Sequence, residues 1–339
     1  MLDLRPLFAS LPSPPPSPLD SPVLVAHQVP GRPGFRVARD SRNHALVLLE
    51  SDGTTSSLPP LALEHIRIEH ARPCRVRHPD GTTLEGVFTI FSCMSVDTIL
   101  QDHFLLVAGT LIAASPSPPH PGSIGSAVET MAELFRALQA PPRESVQGLW
   151  AEVLLIAESP RSADLVTAWH VATDDRFDFS SRMARVEVKS ASGGERVHHF
   201  SLDQLRPPAG VRALIASVLV ERAGGGTSVE DLLAELRATL APSPELMLKA
   251  ESIVTATLGS TFRAAIGERF DREAARGSLA YFRAEDVPSL QEAPPFGVTD
   301  VRFRSDLGAS RPVRPRDLIR GSEDQLLASL PPTHERPHR

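Results

Sequence analysis

Three acidic residues and one lysine fall in the middle of the chain at spacings that suit cation and phosphate chemistry. They are Glu152, Asp178 within Phe177-Asp178-Phe179, and the pair Glu187 and Lys189 within Val186-Glu187-Val188-Lys189. Side chains alternate along a strand, so Glu187 and Lys189 share one face while Val186 and Val188 take the other. On a preceding strand Asp178 points opposite to Phe177 and Phe179, and Ser180–Met183 is short enough for a hairpin. Asp178 is therefore expected beside Glu187 and Lys189 at one end of a sheet. Two carboxylates, the backbone carbonyl of Val188 and phosphate oxygens suit Mg²⁺, a hard cation that keeps several waters, with Mn²⁺ as a substitute. Such an ion polarises a phosphodiester and lowers the pKa of a bound water. The Lys189 ammonium can hold that water and offset phosphate charge.

Composition gives the Glu-x-Lys spacing its weight. Of 35 basic residues only Lys189 and Lys249 are lysines. With 22 glutamates in 339 residues, a Glu-x-Lys should arise about 0.13 times by chance. The competing explanation is a solvated strand face on which Arg185, Glu187 and Lys189 alternate. Glu152 weighs against it. Its helical neighbours Gly148, Leu149, Ala151, Val153, Leu155 and Ile156 are all apolar or small. The main apolar stripe of Val146, Leu149, Trp150, Val153 and Ala157 lies elsewhere around the helix. A carboxylate inside such a helix must be paired, protonated or metal-linked; an arginine ion pair is the structural alternative.

The elements that must position these residues follow from breakers and periodicity. Residues 1–33 read as a Pro-rich arm, with Ser13-Pro-Pro-Pro-Ser-Pro18 at its centre. Residues 34–114 read as a β-rich domain. Its runs are Phe35–Ala38, Ala45–Leu49, Ile66–Glu69, Cys74–Arg77, Thr83–Phe91 and His103–Ile112, punctuated by Ser51-Asp-Gly53 and Pro79-Asp-Gly81. After the breaker Ser115–Pro121, residues 123–222 form the core that carries the site. Helices are expected over Ser126–Gln139 and Arg143–Ala157, and strands over Leu165–Trp169, Arg176–Ser180, Ala184–Ser190, Val197–Leu202 and Val211–Glu221. Residues 223–320 read as a helical extension: a loop at Gly224–Gly226, a Thr227/Glu230 capping box, a helix from Pro244 ending near Gly259, and a strand over Val298–Phe303. Residues 321–339 read as a polar tail. His65 and His70 match no metal spacing, and Trp150 and Trp169 are assigned to the core.

Several classes are excluded. Neither lysine follows a glycine, so there is no P-loop, and no Gly-x-Ser-x-Gly or Cys-x-x-Cys occurs. A net charge of −6 leaves no global basic footprint for nucleic acid, so any DNA contact must be local or shared with a partner. The start lacks a secretory pattern, no apolar run approaches a membrane span, and Cys74 and Cys93 suit a reducing cytoplasm.

Leu149-Trp-Ala-Glu-Val-Leu-Leu155, Trp169, Phe177-Asp178-Phe179, Val186-Glu-Val-Lys-Ser190, His199-Phe-Ser201 and Gln204-Leu205 together resemble the prokaryotic PD-(D/E)XK motif family of the restriction-endonuclease-like superfamily. The resemblance is densest over 147–205. It implies an α/β fold in which helices flank a mixed central sheet, and a metal-dependent DNA endonuclease. On this resemblance Asp178, Glu187 and Lys189 match the metal ligands and lysine, and Glu152 the helix acid. Gln204 resembles a supporting glutamine of some members, and His199 on the following strand is a further candidate. Phe177 stands where the superfamily name has proline. The resemblance also implies a nuclease subunit of an antiphage system acting with helicase- or ATPase-type partners. The alternative on the same fold is a non-catalytic DNA- or protein-binding scaffold, which would have no need of a lysine at 189.

Overall fold

The computed structural model describes residues 2–14, 23–51, 59–170, 176–290, 292, 294–315, 317 and 324–333. The prolines at 15–18, the Asp52-Gly53 turn, residues 321–323 and residues 334–339 lie outside the described residues. The chain divides into two units, Met1–Pro141 with Ala241–Arg263, and Pro142–Leu240 with Ala264–Arg339.

In the first unit the alternating runs become β1 (Val23–Gln28), β2 (Phe35–Arg39), β3 (Ala45–Glu50), β4 (Leu61–Ala62), β5 (Ile66–Arg77) and β6 (Thr83–Cys93). Their order is β1-β2-β3-β6-β5-β4, and β1 also pairs in parallel with β5, so five strands close on themselves. Leu24, Ala26, Ala38, Leu46, Leu48, Val76, Phe88 and Ile90 fill the space they enclose. Closure removes the exposed edges that an open antiparallel sheet would leave. The segment expected as an arm thus supplies β1, as well as α1 (Arg5–Ala9).

His103–Ile112 is not a strand. It lies in α2 (Thr98–Ala114), capped by the Asp97 carboxylate on the amides of Ile99 and Leu100. Its residues are buried on nearly every side, and a helix apolar all round shows no 3.6-residue period in sequence. α3 (Pro121–Ala137) and the helix Pro244–Leu258 pack with α2. The latter helix therefore belongs to the first unit and not to an extension of the second. It ends at Gly259, whose φ of +49° favours glycine, and where a Cβ would run into the Ala140 carbonyl.

In the second unit α4 (Val146–Ala157) and α5 (Ser162–Ala168) precede β7 (Phe179–Ser180), β8 (Ala184–Ala191), β9 (Val197–Ser201), α6 (Leu202–Leu205) and β10 (Arg212–Leu219). Leu165–Trp169, expected as a strand, is mostly α5; Trp169 alone makes a β-bridge, to Phe179. Beyond these come β11 (Arg222–Ser228), α7 (Val229–Thr239), β12 (Arg269–Phe270), β13 (Ala280–Arg283) and β14 (Arg302–Asp306). Strands thus share residues 223–320 with the helices. Gly224–Gly226 lies in β11 and not in a loop, across the irregular part of its pairing with β12, and a Cβ at Gly226 would run into the Phe270 carbonyl. Glycine here admits a close strand neighbour. The capping box sits one residue later than expected, with Ser228 and Asp231 exchanging bonds.

The central sheet runs β13-β10-β8-β7. β8 and β10 are parallel, placing Glu187 opposite Ile215 and Lys189 opposite Ser217, while β7 and β13 are antiparallel to their neighbours. α4 packs on β8 and the helix Arg272–Ser278 on β10. β9 pairs with β14, which begins four residues after the expected Val298. Among the described residues, no helix is long and apolar enough to cross a membrane.

Candidate metal centre

β8 alternates as its sequence requires, with a modification. Val186 and Val188 are buried, yet Glu187 is also buried, at 4 % exposure. It is buried because α6 and Lys189 cover it. Lys189 Nζ lies 2.6 Å from Glu187 Oε1, and Gln204 Nε2 donates to the same oxygen at 2.6 Å. The orientation of Gln204 is fixed by a capping box at the start of α6. Its Oε1 accepts from the Ser201 amide and its own amide donates to Ser201 Oγ. The amide nitrogen is thereby left to face Glu187.

Asp178 immediately precedes β7, and its Oδ2 accepts from the Val188 amide at 2.6 Å. Its own carbonyl accepts from the His170 amide. Glu152, buried on α4, accepts from the Trp169 indole at 2.7 Å. No arginine ion pair to Glu152 occurs among the described residues; its acidic neighbours are Asp178 and Glu144. Carboxylate oxygens of Glu144, Glu152 and Asp178 lie within 4.8 Å of one another. Glu187 is outside that tight group, its Oε1 being engaged by Lys189 and Gln204.

Burial and mutual repulsion shape the charge state. Burial pushes Asp178 up to about 7, opposed by the Val188 amide and reinforced by the charge of Glu144. Burial pushes Glu187 up to about 8, with Asp178 adding to the rise and Lys189 opposing it. Glu152 is raised well above the usual carboxylate range by burial, then by Asp178 and Glu144, against the indole hydrogen bond. For Lys189 burial acts downward, but the charge and hydrogen bond of Glu187 outweigh it, so its pKa is raised and the ammonium persists. Such an excess of crowded carboxylate over ammonium fits a divalent cation with oxygen ligands. Asp178, Glu152 and Glu144 could hold it, with Glu187 beside Asp178.

The remaining expected residues separate cleanly. Val188 takes part through its amide, which holds Asp178. His199 is exposed and pairs across to Arg304 on β14, on the face of β9 opposite to His198 and Phe200. The structure does not bring it to the carboxylates. His198 is buried, its Nε2 2.8 Å from Ser217 Oγ, and burial, with Lys189 and Arg196 nearby, pushes its pKa down to about 4. Lys189 Nζ sits 5.6 Å from the Phe200 ring centroid, a cation–π distance. Glu144 was not among the expected residues. It is exposed, in the segment before the Ser145 cap of α4, where no periodicity marks it. Trp169 touches the site instead of merely filling the core.

A family described as "Putative PD-(D/E)XK family member" (DUF4420) matches residues 7–308. The chain belongs to this PD-(D/E)XK family. No curated protein and no solved structure matches the chain significantly. The family match spans both units, so the β-barrel is part of the family's extent.

A pH signature follows for this PD-(D/E)XK family member. Asp178, Glu187 and Glu152 have folded pKa values above their unfolded ones. The contribution of Asp178 and Glu187 to stability is full below about pH 4 and is lost as pH rises through about 7–8, and Glu152 acts in the same direction. His198, depressed to about 4, behaves oppositely, contributing fully above about 6.5 and losing that contribution as pH falls. Between about pH 6.5 and 8.5 only the carboxylates titrate among these four. The metal-free protein should therefore lose about 2 kcal/mol across that window, roughly 4–8 °C in melting temperature. Glu187→Gln should shrink the drop. A melting temperature that stays level or climbs over this range would show that the carboxylates are not strained.

Proposed function

We propose that the chain is a Mg²⁺-dependent DNA endonuclease, acting as the nuclease subunit of a prokaryotic antiphage system. The observation that carries this reading is the convergence of Glu152, Asp178 and Glu187 with Lys189 on and around β8. When bound, the cation polarises the scissile phosphodiester and lowers the pKa of a water. Asp178 and its acidic neighbours hold the cation, and the Val188 amide keeps one Asp178 oxygen turned away so that the other is presented. Lys189, kept protonated by Glu187, donates toward the attacking water and the phosphate and balances the charge that develops there. Gln204 fixes Glu187 and hence the lysine. A non-catalytic scaffold would not need a half-buried ammonium beside these carboxylates in a chain that has arginine at all but two of its basic positions.

A net charge of −6 gives weak grip on a phosphate backbone, and the chain has no P-loop. We therefore infer dependence on a helicase- or ATPase-type partner and a cytoplasmic setting. The test is cleavage of plasmid DNA with Mg²⁺ or Mn²⁺, by the protein alone and with the products of neighbouring genes. Weak cutting alone and a gain with the partner are expected. Robust ATP-independent cutting by the isolated chain at physiological salt would remove the partner dependence. Metal-independent cutting, or none under any combination, would remove the nuclease reading.

A further inference from the structure

We propose that Trp169 is the positioning residue of the metal centre, holding Glu152 through its indole N–H and fixing Asp178 through the β-bridge it makes with Phe179. The inference rests on the metal-binding reading of the site and names what orients its ligands.

Two tryptophans are fully buried in the second unit, and they use their single donor differently. Trp150 donates to the backbone carbonyl of Thr227 at 2.9 Å, as a core tryptophan ordinarily does. Trp169 donates at 2.7 Å to the Oε2 of Glu152, itself only 4 % exposed. An indole N–H can only donate, so it accepts no rearrangement in which it takes a proton from the carboxyl. The indole holds one Glu152 oxygen in place at 2.7 Å, while the Glu152 carboxyl lies within the group it forms with Glu144 and Asp178, where a cation could be held. Metal ligands are regularly oriented by such outer hydrogen bonds.

The same residue also fixes the other acid. Trp169 forms a β-bridge with Phe179, the neighbour of Asp178, and its ring stacks on Phe179 with centroids 6.3 Å apart and planes 17° apart. The next residue, His170, donates its amide to the Asp178 carbonyl at 2.9 Å. Trp169 thus joins α4, which carries Glu152, to the segment that carries Asp178. The separation of the two carboxylates is set by one side chain and one backbone bridge.

The experiment compares wild type, Trp169→Phe and the control Trp150→Phe. Trp169→Phe keeps an aromatic ring against Phe179 but removes the donor together with part of the buried indole volume, a volume loss that the control Trp150→Phe shares. Mn²⁺ affinity by titration calorimetry should weaken about 10–100-fold in Trp169→Phe and stay near the wild-type value in Trp150→Phe. Unchanged Mn²⁺ affinity in folded Trp169→Phe overturns the proposal. Should that variant fail to fold, Trp150→Phe leaves Trp169 as the sole tryptophan. Its emission should then shift on adding Mg²⁺ and saturate with the calorimetric Mg²⁺ affinity of that protein. Calorimetric binding without any emission change would also overturn the assignment. If wild type itself binds neither ion, the metal-centre reading fails, and this inference with it; binding by wild type with no effect at Trp169 sinks the inference alone.

Discussion

Asp178→Asn should abolish metal-dependent DNA cleavage while leaving the fold intact, and near pH 8 the metal-free variant should melt no lower than wild type. The two effects have one cause. Asp178 presents a buried carboxylate beside Glu144 and Glu152, and burial pushes its pKa up to about 7. Ionised and without a cation, it costs the folded state free energy; the asparagine carbonyl can still accept from the Val188 amide without that charge. Stability is therefore retained or gained in the variant near pH 8, and the advantage fades toward pH 6 as Asp178 protonates in wild type. Activity moves the other way. A bound cation supplies several kcal/mol of transition-state stabilisation, and at about 1.4 kcal/mol per tenfold its loss lowers the rate by roughly 1,000-fold. Melting curves and plasmid cleavage on one preparation check both. A variant that melts well below wild type near pH 8 would show that Asp178 is structural.

Lys189→Arg is the second large effect. It keeps the charge and changes the shape. Lys189 reaches Glu187 at 2.6 Å with its Nζ over the Phe200 ring, in a space closed by α6 and β9. A planar guanidinium is wider and presents its donors in a fixed fork, so it cannot place one compact donor at the same point. Cleavage should fall at least about 100-fold with the protein still folded. Lys249→Arg, on a helix of the other unit, should leave cleavage unchanged. Full activity in Lys189→Arg, in an assay that Asp178→Asn abolishes, would keep the metal site and remove the role given to the lysine.

Much of the site was legible because its residues obey short-range rules. Alternation along Val186–Lys189 put Glu187 and Lys189 on one face, and the apolar surroundings of Glu152 announced its burial, which the structure bears out at 4 % exposure. Gln204 was found through resemblance, and its reason became plain only with the capping box that turns its amide toward Glu187. Glu144 and the role of Trp169 were not legible. Glu144 sits between a proline pair and a helix cap, where spacing carries no direction. Trp169 lies seventeen residues from Glu152, and nothing local distinguishes a tryptophan that caps a carboxylate from one that fills a core. His199 illustrates the limit of period-2 reasoning at adjacent positions. One of His198 and His199 had to face inward, and the packing of Phe200 against Phe177, Leu205 and Ile215 selected His198.

The fold was misread where burial erased periodicity or where distant pairing decided. α2, apolar on nearly all sides, looks like a strand over His103–Ile112. β1 gains its place only by pairing with β2 and β5, far along the chain, so its proline-rich flank concealed it. The helix Pro244–Leu258 was expected correctly as a helix, but its unit is set by packing on α2 and α3, which no local pattern reveals.

Asp178, Glu152 and Glu144 should act together as one divalent-cation site. Titration calorimetry of Mn²⁺ into wild type and Asp178→Asn near pH 8 tests it most directly, with no dependence on partner or DNA. Wild type should give a saturable isotherm that is lost in Asp178→Asn; indistinguishable isotherms for the two proteins would show that these carboxylates do not form the site.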